Sequence, residues 1–151
     1  MKIIQRDITT IDEGVIFHQV NCQGVMRSGV AKAIREKWPD VFSEYSKFCQ
    51  NKTPEELLGT YNAVNLSDEY SNLIVVNCFS QKNYGYDGEL YTDYDSIDKI
   101  FREVYREYCH WETKFYAPYL YGCVRGGGDW NKVSEIICRN IPDIIFCKYG
   151  E

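Results

Sequence analysis

The chain has 151 residues, 44% of them hydrophobic and 26% charged, a balance that suits one globular domain and argues against fibrous or disordered classes. A formal net charge of -5, with basic residues that form no stripe interleaved with aromatics, argues against a duplex nucleic-acid surface. No apolar run approaches the roughly 20 residues a membrane span needs, so no membrane partner and a cytoplasmic location are expected.

Taken in chain order, the pattern alternates strands and helices. Residues 2–5 and 14–20 (GVIFHQV) are predicted strands, and Ser28 to Lys37 is a predicted helix with Ser28 as its N-cap. Pro39 cannot continue that helix, so Asp40 to Cys49 forms a second one, with Val41, Phe42, Tyr45 and Phe48 on one face. Asn51 to Glu56 is predicted as a polar connector. GTYNAV (59–64) and NLIVVNCF (72–79) are predicted strands, the latter apolar enough to be buried on both faces. Ser80 to Tyr91 is a loop rich in glycine and tyrosine, and Thr92 is the expected cap of a helix carrying Ile97, Ile100, Phe101, Val104, Tyr105 and Tyr108 at helical spacing. KFYAPYL (114–120) is a strand, GCVRGGG a flexible loop, DWNKVSEIICRN a helix, and DIIFCKY (143–149) a closing strand. That order predicts an α/β fold of three layers, α/β/α, as a single domain over 1–151.

The seven cysteines are odd in number and scattered through apolar segments, where reduced cysteine packs as a small hydrophobe in a reducing compartment. There is no CxxC pair, and His18 and His110 are not spaced as metal ligands, so no metal site is expected.

Sites in such sheets are built on loops at the carboxyl ends of strands. Two loops have that chemistry here. In NCQGVMRSGVAKAI a strand ends at Asn21 and a helix begins near Ser28, so amides aimed along the helix dipole suit phosphate. In YGCVRGGGDW, Gly126, Gly127 and Gly128 precede a helix starting at Asp129; adjacent glycines lose much entropy on folding and are seldom placed where other residues would serve. Each feature also has an ordinary explanation. Gly29 can serve helix packing, Asp129 can be an N-cap, His18 can be a satisfied core histidine, and Cys22 and Cys123, with no adjacent base, can be packing thiols.

These residues resemble the macro-domain family. RDITTIDEGVIFHQVNCQGVMRSGVAKAI (6–34) is similar to its opening, matching at Asp7-Ile8-Thr9, Asn21 and Gly29-Val30-Ala31. APYLYGCVRGGGDWNKV (117–133) looks like the second ligand loop of the subgroup near ADP-ribose-1''-phosphate phosphatases and terminal ADP-ribose protein glycohydrolases. The resemblance covers nearly the whole chain and implies a three-layer α/β/α macro domain with a central mixed sheet. It implies that ADP-ribose or a derivative is the ligand, with no cofactor, and that an ADP-ribosylated protein or nucleic acid is a candidate partner.

By the same resemblance, Asp7 would accept the adenine amino group, the Ile8 amide would contact that ring, and Asn21 would meet the distal ribose. The amides of Ser28, Gly29, Val30 and Ala31 would hold one phosphate. Gly122, Cys123, Val124, Arg125, Gly126, Gly127 and Gly128 would wrap the diphosphate and distal ribose. His18 matches a histidine of phosphatase-like members and is a candidate general base or acid, with Asn21 and Asp129 as the other catalytic candidates. The chain departs from the family at Arg6, Arg27, Ser28 and Val124, where glycine is expected. The aspartate of the terminal glycohydrolases falls at Gly126 and their nucleophilic lysine has no match, so a lysine adduct is not expected. Water placed by the ligand's own phosphate is the alternative. The expected function is a hydrolase acting at the distal ribose; a reader or sink for ADP-ribose, or an unrelated interaction domain, are the competing readings.

Overall fold

The structure, a computed structural model, describes residues 1–70, 72–110 and 112–150. Its strands are β1 (Lys2–Gln5), β2 (Gly14–Asn21), β3 (Tyr61–Asn65), β4 (Leu73–Gln81), β5 (Phe115–Pro118) and β6 (Ile145–Lys148). Its α-helices are α1 (Gly29–Lys37), α2 (Pro39–Cys49), α3 (Pro54–Leu57), α4 (Tyr94–Tyr108) and α5 (Trp130–Asn140). The strands form one mixed sheet in the order β1-β6-β5-β2-β4-β3, parallel throughout except for β3, which pairs antiparallel with β4.

Side chains alternate across a strand, so an apolar run on a central strand must be buried twice. That is the case for β2 and β4. Val15, Phe17, Val76 and Cys78 face α4 and α5, packing on Ile97, Ile100, Phe101, Val133 and Ile137. Ile16 and Val75 face the other way, onto Ile34, Trp38 and Val41 of the α1–α2 corner. Phe17 stacks on Phe101 with ring centroids 4.1 Å apart, and burying each such side chain stabilises the fold by about 1.5–3 kcal/mol.

Local chemistry sets several boundaries differently from the sequence pattern. The expected connector 51–56 contains α3, started by a capping box in which the Thr53 side chain accepts from the Glu56 amide and Glu56 accepts from the Thr53 amide. The cap of α4 is Asp93, which accepts from Ser96 N, and not Thr92, whose hydroxyl donates to the Gly122 carbonyl 2.6 Å away. A 3-10 turn, Ile8–Thr10, follows β1 because the Asp7 side chain accepts from the Thr9 amide. β5 stops at Pro118, and Leu120 takes a left-handed conformation with φ 63° that ends the strand.

Because five strands are parallel, their carboxyl ends lie along one edge. That edge carries Asp7 after β1, Asn21 after β2, Gln81 at the end of β4 and residues 119–128 after β5. Three strand spacings of about 4.8 Å separate the ends of β1 and β2 by about 14 Å, the scale of a dinucleotide-like ligand laid across the edge.

Candidate functional site

A cleft of about 320 Å³ opens on this edge, walled by residues 25–31, 84–86, 118–122 and 124–126 over a floor that includes Gln19, Asn21 and Gln81. A larger cavity of about 610 Å³ lies around the amino ends of β2 and β5, near Gly14 and Lys114. Asp12, Glu13, Glu107 and Glu112 outnumber Arg6 and Lys114 around that cavity, a balance unfavourable to a phosphate. The cleft at the carboxyl edge has no carboxylate among the described residues that line it; its charged side chains are Arg27 and Arg125.

The first wall is shaped by Asn21. Its Oδ1 accepts from Gln23 N at 2.9 Å and from the Tyr45 hydroxyl at 3.0 Å, and its Nδ2 donates to the Val25 carbonyl at 2.9 Å. The side chain therefore folds the turn and keeps one Nδ2 proton for a ligand. Where α3, α4 and α5 are capped by their own side chains, Ser28 makes no capping bond to α1. Ser28, Gly29, Val30 and Ala31 at the start of α1 line the cleft, and Gly29 has a φ of 61° that suits glycine. Uncapped amides at a helix start are an anion site. Val30 packs into the cluster that holds Ile8, joining this wall to the segment after β1.

The second wall corrects one expectation. Gly122, Val124, Arg125 and Gly126 line the cleft, but Cys123, Gly127 and Gly128 do not. The glycine run is instead a packing device. A Cβ on Gly126 would collide with Thr92 Oγ1 and the Gly122 carbonyl, one on Gly127 with the Glu89 carbonyl, and one on Gly128 would lie 2.8 Å from the Gly122 carbonyl. The Gly126 carbonyl accepts from Tyr91 N and Thr92 N at 2.8 and 3.0 Å, stitching the loop to residues 89–92.

Beneath both walls runs a network that the sequence pattern did not single out. Gln19 Nε2 donates to Gln81 Oε1 at 3.0 Å and to Thr92 Oγ1 at 2.9 Å, and the Ser80 hydroxyl donates to Gln19 Oε1 at 2.6 Å while contacting the Tyr121 hydroxyl at 2.8 Å. Satisfied networks of this kind fix the shape of a site. The available signal was a glutamine interrupting each apolar strand, which requires a partner once buried. Tyr84, Tyr86 and Tyr119 also line the cleft without having been singled out.

Of the catalytic candidates, His18 and Asp129 do not line the cleft. His18 does not reach the cleft. It is fully buried on β2, with Nε2 2.6 Å from Asn77 Oδ1 and Nδ1 without a partner among the described residues, and burial pushes its pKa down to about 4. A neutral imidazole enclosed in the core cannot move a proton at the cleft, so the general-base role is corrected to a core role. Asp129 is exposed, caps α5 by accepting from Asn131 N at 2.9 Å, and does not line the cleft. Asp7 and Ile8 lie outside the cleft proper, at the β1 end of the same edge; Asp7 Oδ1 accepts from Thr9 N and Thr9 Oγ1, leaving Oδ2 for a ligand. Burial pushes the Cys22 and Cys123 thiols up to about 12 and about 11, so both are packing groups rather than nucleophiles. No group of His, Cys, Asp and Glu that could hold a metal occurs among the described residues, and no described helix is long and apolar enough to cross a membrane.

No model of a known protein family matches the chain. It is similar to the DNA ADP-ribosyl glycohydrolase of Mycobacterium tuberculosis, 28% identical over 142 residues, covering 91% of this chain and 38% of that protein. The chain thus spans about two fifths of that relative's length. It is also similar to the ADP-ribose 1''-phosphate phosphatase of Scheffersomyces stipitis, 46% identical over 48 residues, 30% of this chain and 28% of that one. The macrodomain of Mycobacterium tuberculosis DarG superposes with a TM-score of 0.76 at 22% identity, over 99% of this chain and 97% of that chain.

Proposed function

Given a chain with the macrodomain fold, we propose that it binds ADP-ribose across the carboxyl edge of the sheet and hydrolyses a bond at the distal ribose. The substrate is ADP-ribose 1''-phosphate or an ADP-ribosylated macromolecule. One observation carries the reading: the start of α1, where Ser28 makes no capping bond, lines a cleft whose only charged lining groups, among the described residues, are cations, on the same edge of the sheet as Asp7, whose Oδ2 is left to accept an amino group. The names of the relatives, an ADP-ribosyl glycohydrolase and an ADP-ribose 1''-phosphate phosphatase, support it.

In this arrangement Asp7 Oδ2 accepts from the adenine amino group and the α1 amides hold a phosphate without a cation. The remaining Nδ2 proton of Asn21 orients the distal ribose or the attacking water. Neither a histidine nor a carboxylate is among the described residues lining the cleft, so the proton of that water passes to the ligand's own phosphate. The same feature favours the second reading, a reader or sink that binds without turnover.

Release of phosphate from ADP-ribose 1''-phosphate and of ADP-ribose from ADP-ribosylated DNA and protein separates the two. Turnover of any of them supports the hydrolase; tight ADP-ribose binding with none leaves the reader or sink. For adenine recognition, Asp7→Ala is expected to weaken ADP-ribose binding by about 1–3 kcal/mol, and inosine diphosphate ribose to bind the wild type more weakly than ADP-ribose does. Equal affinity for the adenine and hypoxanthine ligands would overturn the role of Asp7.

A further inference from the structure

ADP-ribose uses few charges of the protein if amides hold its diphosphate, yet two arginines stand in the cleft. Arg27 and Arg125 are both exposed, come from opposite walls and make no ion pair among the described residues. Their place along the edge is informative. The Arg125 guanidinium lies 4.5 Å from the centre of the Tyr86 ring, which belongs to the loop after β4. To reach it, the second wall crosses the end of β2, since β2 separates β5 from β4 in the sheet. The turn leading to Arg27 is held to the same loop: Cys22 N donates to the Lys82 carbonyl at 3.1 Å, and Gln23 Nε2 donates to the Lys82 carbonyl at 3.0 Å and to Asn83 Oδ1 at 2.9 Å. Arg125 therefore belongs to the β2–β4 end of the edge, away from Asp7 after β1, and Arg27 follows a turn held to that same end.

We propose that Arg27 and Arg125 form an anion subsite beyond the distal ribose, which selects ligands carrying a phosphate there over ADP-ribose itself. The inference rests on the ADP-ribose reading above, with adenine at Asp7. An unpaired guanidinium presents a planar fork of donors that fits two phosphate oxygens, and two such forks from facing walls enclose one phosphate. The stack on Tyr86 limits the freedom of Arg125 and lowers the entropic cost of engaging the anion. The phosphate is either a terminal monoester or the backbone phosphate of an attached strand.

Displacement of a fluorescent ADP-ribose probe, read before turnover, tests this with the wild type, Arg27→Gln and Arg125→Gln. The wild type is expected to bind ADP-ribose 1''-phosphate at least about tenfold tighter than ADP-ribose. Each variant should reduce that preference to below about threefold by losing more affinity for ADP-ribose 1''-phosphate than for ADP-ribose, and raised salt should erode the preference in the wild type alone. A second arm compares an ADP-ribosylated oligonucleotide with the ADP-ribosylated nucleoside lacking phosphate. A preference in only one arm, lost in the variants, assigns the subsite to the monoester or to the strand phosphate respectively. If the variants weaken every ligand equally, the arginines serve the diphosphate and the inference is overturned; the same follows if no preference exists in either arm. Failure of ADP-ribose itself to bind would instead remove the underlying reading.

Discussion

Gly29→Glu is expected to weaken ADP-ribose binding by at least about 100-fold while leaving the fold in place, a loss of roughly 2.7 kcal/mol or more. A Cβ built on Gly29 meets nothing within 4 Å, so the side chain has room. The φ of 61° costs a non-glycine residue about 1–2 kcal/mol, which lowers the melting temperature by a few degrees in a chain of this size. A carboxylate at the first turn of α1 offsets part of that strain through the helix dipole. It also places a negative charge on the amides that Ser28 leaves uncapped, competing with the ligand phosphate from within the chain. Calorimetric titration and circular dichroism on the same sample check both halves. Undiminished affinity would remove the α1 amides from the site. Gly127→Glu does not provide the same test, because its side chain would strike the Glu89 carbonyl rather than enter the cleft.

The stability of the protein is expected to fall by roughly 3 kcal/mol as the pH is lowered from about 6.5 to about 4, with His18 as the main source. The folded-state pKa of His18 is lowered to about 4 by burial, against 6.5 in an unfolded chain. In that window the unfolded state binds a proton that the folded state refuses, so stability is complete above the unfolded value and is lost as pH falls toward the folded one. Asp98, whose carboxyl is held below its usual range chiefly by Asn140 and then by Arg139 and Arg102, adds its loss lower down. Urea unfolding across pH checks this. His18→Gln should flatten the slope, because an amide can still donate to Asn77 and carries no titration. In any substrate that turns over, His18→Ala should lower stability without a drop in kcat. A loss of kcat of about 100-fold or more at full stability would return His18 to catalysis.

The layer order was legible because four helices and the central strands carry strong periodicity. Ile97, Ile100, Phe101 and Val104 mark one face of α4 regardless of context, and the apolar runs of β2 and β4 require burial twice. The short elements were not legible. α3 is four residues long, and its capping box is a local hydrogen-bond pattern inside a polar segment. Thr92 and Asp93 are adjacent capping types, and the choice between them is made by a contact 30 residues away, Thr92 Oγ1 to the Gly122 carbonyl.

At the site, the two loops were visible as strand-to-helix turns containing glycine, and Asn21, Gly29 and Gly126 do line the cleft. The glycine run at Gly126, Gly127 and Gly128 also answers to the chain packed against it. Its bareness accommodates residues 89–92 and Thr92 more than a ligand, a packing relation that spacing along the chain cannot show. Gln19 and Gln81 are 62 residues apart and meet only because β2 pairs with β4. His18 was a candidate because the resemblance places a histidine there, but its side chain is fully buried against Asn77 and does not line the cleft.

The central claim is that this edge of the sheet holds ADP-ribose, and calorimetric titration of the wild-type protein with ADP-ribose tests it most directly. Saturable binding at one site per chain, lost in Gly29→Glu and weakened in Asp7→Ala, is the result the account predicts. Absence of binding, or binding that neither substitution changes, would contradict it.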